Sequence, residues 1–229
     1  MKKALLSVLA LAVIPVTVDA QVTSSSACES VPDRPIFFDD SRPFEFETWL
    51  LCAEDGDHIA QWVIARAYDD GEGVPEDAAE AVRWYRLAAD QGLAQGQYSL
   101  GFMYDNGRGV PEDAAEAVRW YRLAADQGLA QGQYSLGFMY QTGDGVPEDL
   151  AEAARWWRLA ADQGDARAQF NLGIMYSIGE GVPEDIVLAY MWFNLAVAQG
   201  NETAQGDKDL LEEEMTREQI AEAQRLSRE

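Results

Sequence analysis

Histidine, lysine and cysteine are nearly missing from this 229-residue chain, and each shortage closes off a class of chemistry. His58 is the only histidine, so no multi-histidine metal centre can be assembled. Beyond residue 20 the one lysine is Lys208 and no Ser-x-x-Lys occurs, which removes the usual serine–lysine acylation pair. Neither G-x-S-x-G nor G-x-x-x-x-G-K-[ST] is present, so there is no nucleophile elbow and no phosphate loop. Basic residues are also scarce, 17 against 40 acidic, for a formal net charge of −23. A surface so acidic repels phosphate backbones and anionic lipid, so nucleic acid and membrane-surface partners are not expected. The same charge suits either a solvated surface or an attraction for basic partners, and composition does not separate the two. These absences lead us to expect no catalytic residue, no metal and no cofactor.

Long apolar runs are equally rare. The one candidate is Ala4 to Val18, preceded by Lys2 and Lys3 and followed by Val18-Asp19-Ala20. Two positive charges, a short apolar segment and small residues before a break predict a secretory signal peptide over residues 1–20, cleaved after Ala20. The run is short for a spanning helix, which needs about 20 apolar residues. The expectation is a periplasmic or secreted chain with no membrane span after cleavage. Residues 21–42, rich in Ser, Pro and Asp, read as an irregular leader.

What the chain has in abundance is repetition. GVPEDAAEAVRWYRLAADQGLAQGQYSLGFMY runs from Gly73 to Tyr104 and returns unchanged from Gly109 to Tyr140. G-V-P-E-D opens again at Gly145 and Gly181, so the period is 36 residues. A fixed period of this size means stacked supersecondary units. The spacing predicts a half-repeat at 43–56, four units at 57–92, 93–128, 129–164 and 165–200, and capping helices at 201–229.

Each unit reads as helix A, loop, helix B. In the second unit helix A runs through Ala94 to Tyr104, with Ala94, Gln97/Tyr98, Gly101 and Tyr104 at helical spacing. Gly101, which recurs as Gly137 and Gly173, predicts a close helix crossing rather than a weak helix. The loop uses Gly107, Gly109 and Pro111 to turn the chain. Asp113 and Glu116 then have the spacing of a capping box, as do Asp77/Glu80 and Asp149/Glu152, whereas Asp185 is followed by Leu188. Helix B ends at Gly128. Its aromatic pairs, Trp84/Tyr85, Trp120/Tyr121, Trp156/Trp157 and Trp192/Phe193, are expected to glue neighbouring units together. Thr216 to Gln219 forms a further capping box opening a last helix with Ile220, Ala223 and Leu226 on its buried face.

The two cysteines leave two readings. In an exported chain Cys28 and Cys52 can form a disulfide that staples the leader onto the first helices. Alternatively Cys52, one period before Ala88 and in line with Ala124, Ala160 and Ala196, is simply a small buried residue.

At A-x-x-x-Y-x-L-G-x-M-Y of helix A, G-x-G-V-P-x-D of the loop, A-x-x-W of helix B and the A-A-D-Q-G ending, the chain resembles the Sel1-like repeat family. The closing segment from Met215 to Ala223 is similar too, and the resemblance covers roughly residues 44–226. Tetratricopeptide repeats are the near relative, with a period of about 34. The resemblance implies an all-α fold, a right-handed α/α solenoid of 36-residue helix-loop-helix repeats. It also implies an adaptor that presents a curved inner surface to a protein or peptide partner, in the cell envelope where a signal peptide is present. One cysteine-rich secreted subgroup is linked to β-lactam or peptidoglycan-fragment binding and hydrolysis. Its members carry a disulfide in each repeat, and this chain has no cysteine after Cys52.

The candidate partner-binding residues are those that helix A turns away from its packed stripe. From Gln95, helical steps reach Ser99, Phe102 and Asn106. The related positions are Val63, Arg66 and Asp70; Ser135, Phe138 and Thr142; and Asn171, Ile174 and Ile178. Phe102, Phe138 and Ile174 would form an apolar line of the kind that marks an interaction site. The competing reading is that adjacent helices cover them and they add to the core.

Overall fold

The computed structural model describes residues 46–228. The expected signal peptide, the leader and Cys28 lie outside the described residues. Eleven α-helices and no strand occur among the described residues: α1 (Phe46–Glu54), α2 (His58–Asp70), α3 (Ala78–Asp90), α4 (Ala94–Asp105), α5 (Ala114–Asp126), α6 (Ala130–Thr142), α7 (Leu150–Asp162), α8 (Ala166–Ile178), α9 (Ile186–Ala198), α10 (Glu202–Glu214) and α11 (Arg217–Leu226). The pairs α2/α3, α4/α5, α6/α7 and α8/α9 are the A and B helices of four successive units. Each helix packs on the one before and the one after, from α1 through α10, and α11 folds back onto α9. This is an α/α solenoid, in which contacts are made chiefly between neighbours. None of these helices is long and apolar enough to cross a membrane.

The start of each B helix is set by one aspartate. Asp77, Asp113, Asp149 and Asp185 sit in extended backbone, and their carboxylates accept from the N–H groups two or three residues on. The expected capping box is only half made. Each aspartate's own N–H, which the glutamate was to satisfy, donates instead to a tyrosine carbonyl at the end of the unit's A helix: Tyr68, Tyr104, Tyr140 and Tyr176. The freed glutamates Glu80, Glu116 and Glu152 pair with Arg83, Arg119 and Arg155 one turn on. Leu188 therefore costs the fourth unit nothing at this position. The full box does form at Thr216–Gln219, where no tyrosine carbonyl intervenes. B helices end in a reciprocal pair: in the second unit Gly128 N–H donates to Ala125 and Leu129 N–H to Ala124. This Schellman geometry needs the positive φ of +88° that Gly128 supplies.

The crossing glycines behave as the spacing predicts. A Cβ on Gly101 would lie 2.8 Å from the Tyr121 ring, on Gly137 2.5 Å from Trp157 and on Gly173 2.4 Å from Phe193. Helices A and B of one unit thus meet glycine against aromatic ring. The large residues of the B-helix pairs are all buried, with Trp157, Tyr121 and Phe193 no more than 2% exposed, each removing roughly 150–250 Å² from water.

A second device, which the sequence reading did not anticipate, joins successive units. Gln61, Gln97, Gln133 and Gln169 are the buried polar side chains of the A helices. Each donates through Nε2 to a carbonyl at the end of the preceding helix: Ala53, Ala89, Ala125 and Ala161. Gln91, Gln127 and Gln163, from the B-helix endings, then donate to the Oε1 of Gln61, Gln97 and Gln133 at 2.7–2.8 Å. The ladder breaks at the fourth unit, where Gln169 Oε1 is buried without a partner. Buried amides satisfied in this way fix the angle between units, because a shifted unit would strand several polar atoms at once.

Candidate functional site

Most of the residues predicted from sequence to meet a partner lie along the open side of the A helices. Phe102 and Phe138 are 39% and 47% exposed, one unit apart, and Ile178 is more open still at 55%. Asn106 is exposed, and Ser99, Ser135 and Asn171 are half-buried along the same row. Ile174 is also half-buried, packed against Phe193, Ala196 and Ala204. Arg66 is half-exposed and pairs with Asp70 at 3.3 Å.

Val63 does not belong to this surface. It is 6% exposed and lies in the core. Its period-related residue in the second unit is Ser99. That position is visited by the unit before, since the Trp62 indole N–H donates to Ser99 Oγ at 3.2 Å. Helical stepping places a residue on a face, but the neighbouring helix decides how far cover extends around it.

Beside the apolar row runs a second one that the sequence reading left in the packed stripe. Trp62, Tyr98, Tyr134 and Phe170 recur at 36 residues and are all half-exposed. Each of the last three rings leans on the aromatic ring of its own B helix: Tyr98 on Tyr121 at 5.8 Å, Tyr134 on Trp157 at 6.4 Å and Phe170 on Phe193 at 5.8 Å. The half-exposure of this row follows from those B-helix rings, which fill the space beneath. The A-helix face is therefore paved by two parallel rows of rings and aliphatic side chains.

Charge enters at the ends of the first two A helices. Tyr121 OH donates to Asp105 Oδ2 at 3.1 Å, and Tyr85 OH reaches Asp69 at 3.5 Å. Burial pushes both aspartates above the usual carboxylate range and both tyrosines well above theirs. Where the B-helix ring loses its hydroxyl, at Trp157 and Phe193, the matching A-helix position becomes Gln141 and Ser177. The surface thus changes along the solenoid, from charged at the first unit to apolar at the fourth.

Cys52 is buried and carries no free thiol. Its expected partner Cys28 lies outside the described residues. Among the described residues no group of histidine, cysteine, aspartate and glutamate side chains is arranged to hold a metal ion.

Stacked helix pairs of fixed period, glycine against ring within each unit, with an aromatic face left open, define a helical-repeat solenoid of the scaffold class. The Sel1 repeat model matches residues 58–93, 94–129, 130–165 and 166–201, and the chain belongs to the Sel1 repeat family. Two solved structures are similar to it. One is c5321, a protective antigen of uropathogenic Escherichia coli strains displaying an SLR fold, with 42% identity and a TM-score of 0.69. The other is a Sel1 repeat protein from Oxalobacter formigenes, with 32% identity and a TM-score of 0.67. The match covers 71% of this chain in each case, but 35% of the first and 65% of the second. The chain therefore spans less than two-thirds of either relative's length. No curated protein matches it. Sel1 repeat proteins are in general protein-interaction scaffolds of a non-catalytic type.

Proposed function

We propose that this chain is an exported adaptor that holds an extended or helical peptide segment of a protein partner in the cell envelope along its A-helix face. The observation that carries the reading is the open apolar row of Phe102 and Phe138, continued by Ile174 and Ile178. What supports an interaction surface here is that these exposed side chains run beside the half-exposed rings of Tyr98, Tyr134 and Phe170, which makes an apolar face wider than the single leucine row Leu87, Leu123 and Leu159 of the B helices. The apolar run at Ala4–Val18 with its flanking lysines supports export, and Cys28 with Cys52 supports an oxidising compartment in which the two pair.

The experiment is peptide display against the purified chain beginning at Gln21, followed by affinity measurement on the selected peptides. Phe102→Asp with Phe138→Asp is expected to abolish binding while far-UV circular dichroism keeps its helical signal. Selected peptides that bind the folded double mutant normally would overturn the reading. Export is tested separately by amino-terminal sequencing of protein from an envelope fraction. An amino terminus at Gln21 is expected, and recovery of the intact Met1 form in the cytoplasm contradicts it.

A further inference from the structure

The duplicated units provide internal controls for one another, and the comparison singles out the middle of the solenoid. On the inner aromatic row, two rings already carry a guanidinium from this chain. Arg66 lies over Trp62, with 5.4 Å between its Cζ and the ring centroid. Arg167 lies over Tyr134 at 4.1 Å. Tyr98 stands between these two: Arg167 reaches it only at longer electrostatic range, and among the described residues no guanidinium lies over its ring. The reason is in the sequence: the period-related residue of Arg66 is Phe102, and that of Arg167 is Gln131. Phe170, the fourth ring, sits instead at the apolar end beside Ile174 and Phe193.

A second comparison, at the loop edge of the same face, reaches the same place. At the first junction Arg108 bridges Asp69 at 2.9 Å and Glu76 at 3.3 Å. One period on, the two carboxylates are kept as Asp105 and Glu112, but the arginine is replaced by Asp144. The electrostatic environment of Asp105 accordingly holds Asp144 and Glu112 as like charges and no compensating arginine. Asp105 lies two turns beyond Tyr98 on the same helix, so ring and carboxylate share one face. This unit therefore lacks both a guanidinium stacked on its ring and the counterpart of Arg108.

We infer that the partner supplies them: the segment held on the A-helix face, a reading on which this inference rests, is a basic one whose arginine or lysine stacks on Tyr98 and pairs toward Asp105, with aliphatic or aromatic neighbours on Phe102 and Phe138. Charge complementarity supports this occupant at long range as well, since the chain carries −23 and steers cations toward it. The polarity gradient of the face sets direction, with the polar end of the segment at the first unit and its apolar end over Ile174 and Ile178. Identical units alone would permit two registers. The guanidinium already on Tyr134 closes one of them.

The test uses peptides displayed and selected on the folded chain beginning at Gln21, each then compared with its own Lys/Arg→Glu version. Selected sequences are expected to combine basic and apolar residues and to lose about tenfold or more in affinity on Tyr98→Ala. The decisive variant is Gln131→Arg, at an exposed position. It places this chain's own guanidinium on Tyr98 as Arg167 does on Tyr134, and it is expected to weaken the basic peptides by a similar factor without touching Phe102 or Phe138. Circular dichroism confirms that both variants remain folded. If selected peptides require Phe102 and Phe138 but are neutral or acidic, and Gln131→Arg leaves them unaffected, the basic-partner inference is wrong and the groove stands. If binding ignores Phe102 and Phe138, the groove reading fails and takes this inference with it.

Discussion

Replacing Gly109 by alanine should open the junction between the first and second units, and a neighbouring glycine shows by how much. Gly109 has a φ of +66°. Its added Cβ would lie 2.1 Å from the Ala78 carbonyl oxygen and 2.8 Å from Ala79 N, both backbone atoms at the start of α3. Comfortable non-bonded contacts are about 3.5–4.0 Å, so loop and helix must part by more than an ångström. The left-handed conformation alone costs roughly 1–2 kcal/mol for a residue with a Cβ. Overpacking against atoms that cannot rotate away adds about 1–3 kcal/mol. Gly128 supplies the control, since it has a φ of +88° and nothing within 4 Å of its Cβ. Gly128→Ala should therefore show the conformational cost by itself. In urea unfolding followed by circular dichroism, Gly109→Ala is expected to have a midpoint roughly 1 M below that of Gly128→Ala. Solenoids can unfold unit by unit, so the Gly109 transition should also broaden or split. Equal midpoints for the two variants would refute the argument that this loop is wedged against the unit before it.

Two further outcomes follow from the buried polar groups. Gln133→Leu removes two hydrogen bonds, the one it donates to the Ala125 carbonyl and the one it accepts from Gln163, while Gln169→Leu removes one bond and an acceptor that was already unsatisfied. Each lost hydrogen bond costs about 0.5–1.5 kcal/mol, so Gln133→Leu should be the more damaging in paired denaturation curves, and the reverse order would discredit the ladder. Burial, then Asp144 and Glu112, raise the carboxyl of Asp105. A group whose folded-state pKa is raised contributes stability at low pH that is lost as pH climbs from the usual carboxylate range through the folded value. Asp105→Asn removes that loss and can still accept from Tyr121. The variant should gain in melting temperature relative to the parent between about pH 4 and neutrality, and a gain that shrinks over that range would contradict the sign.

The relation between chain and fold is clearest at individual positions. The 36-residue period, the B-helix starts at the four aspartates and the close crossings at Gly101, Gly137 and Gly173 were all legible in the sequence. Each depends on local chemistry or on a pattern carried by the units themselves. The half-made capping boxes were not legible, because the N–H that Glu116 was expected to take is claimed by the Tyr104 carbonyl from the end of the other helix. The glutamine ladder left a trace, Gln97 and Gln127 each recurring at the period, but only helix placement shows that the two side chains meet.

The A-helix face divides in the same way. Phe102 and Phe138 follow from helical spacing and are exposed as expected. Val63 has the same spacing and is buried, and Tyr98, which spacing put toward the core, is half-exposed. What the sequence alone determined is the repeat, its two helices and their register, since these follow from hydrogen bonds and periodicity within about forty residues. What only the tertiary structure decided is which flanks stay open and which charges find partners. Those are settled by side chains from the next unit, whose approach is a property of helix crossing and not of either helix by itself.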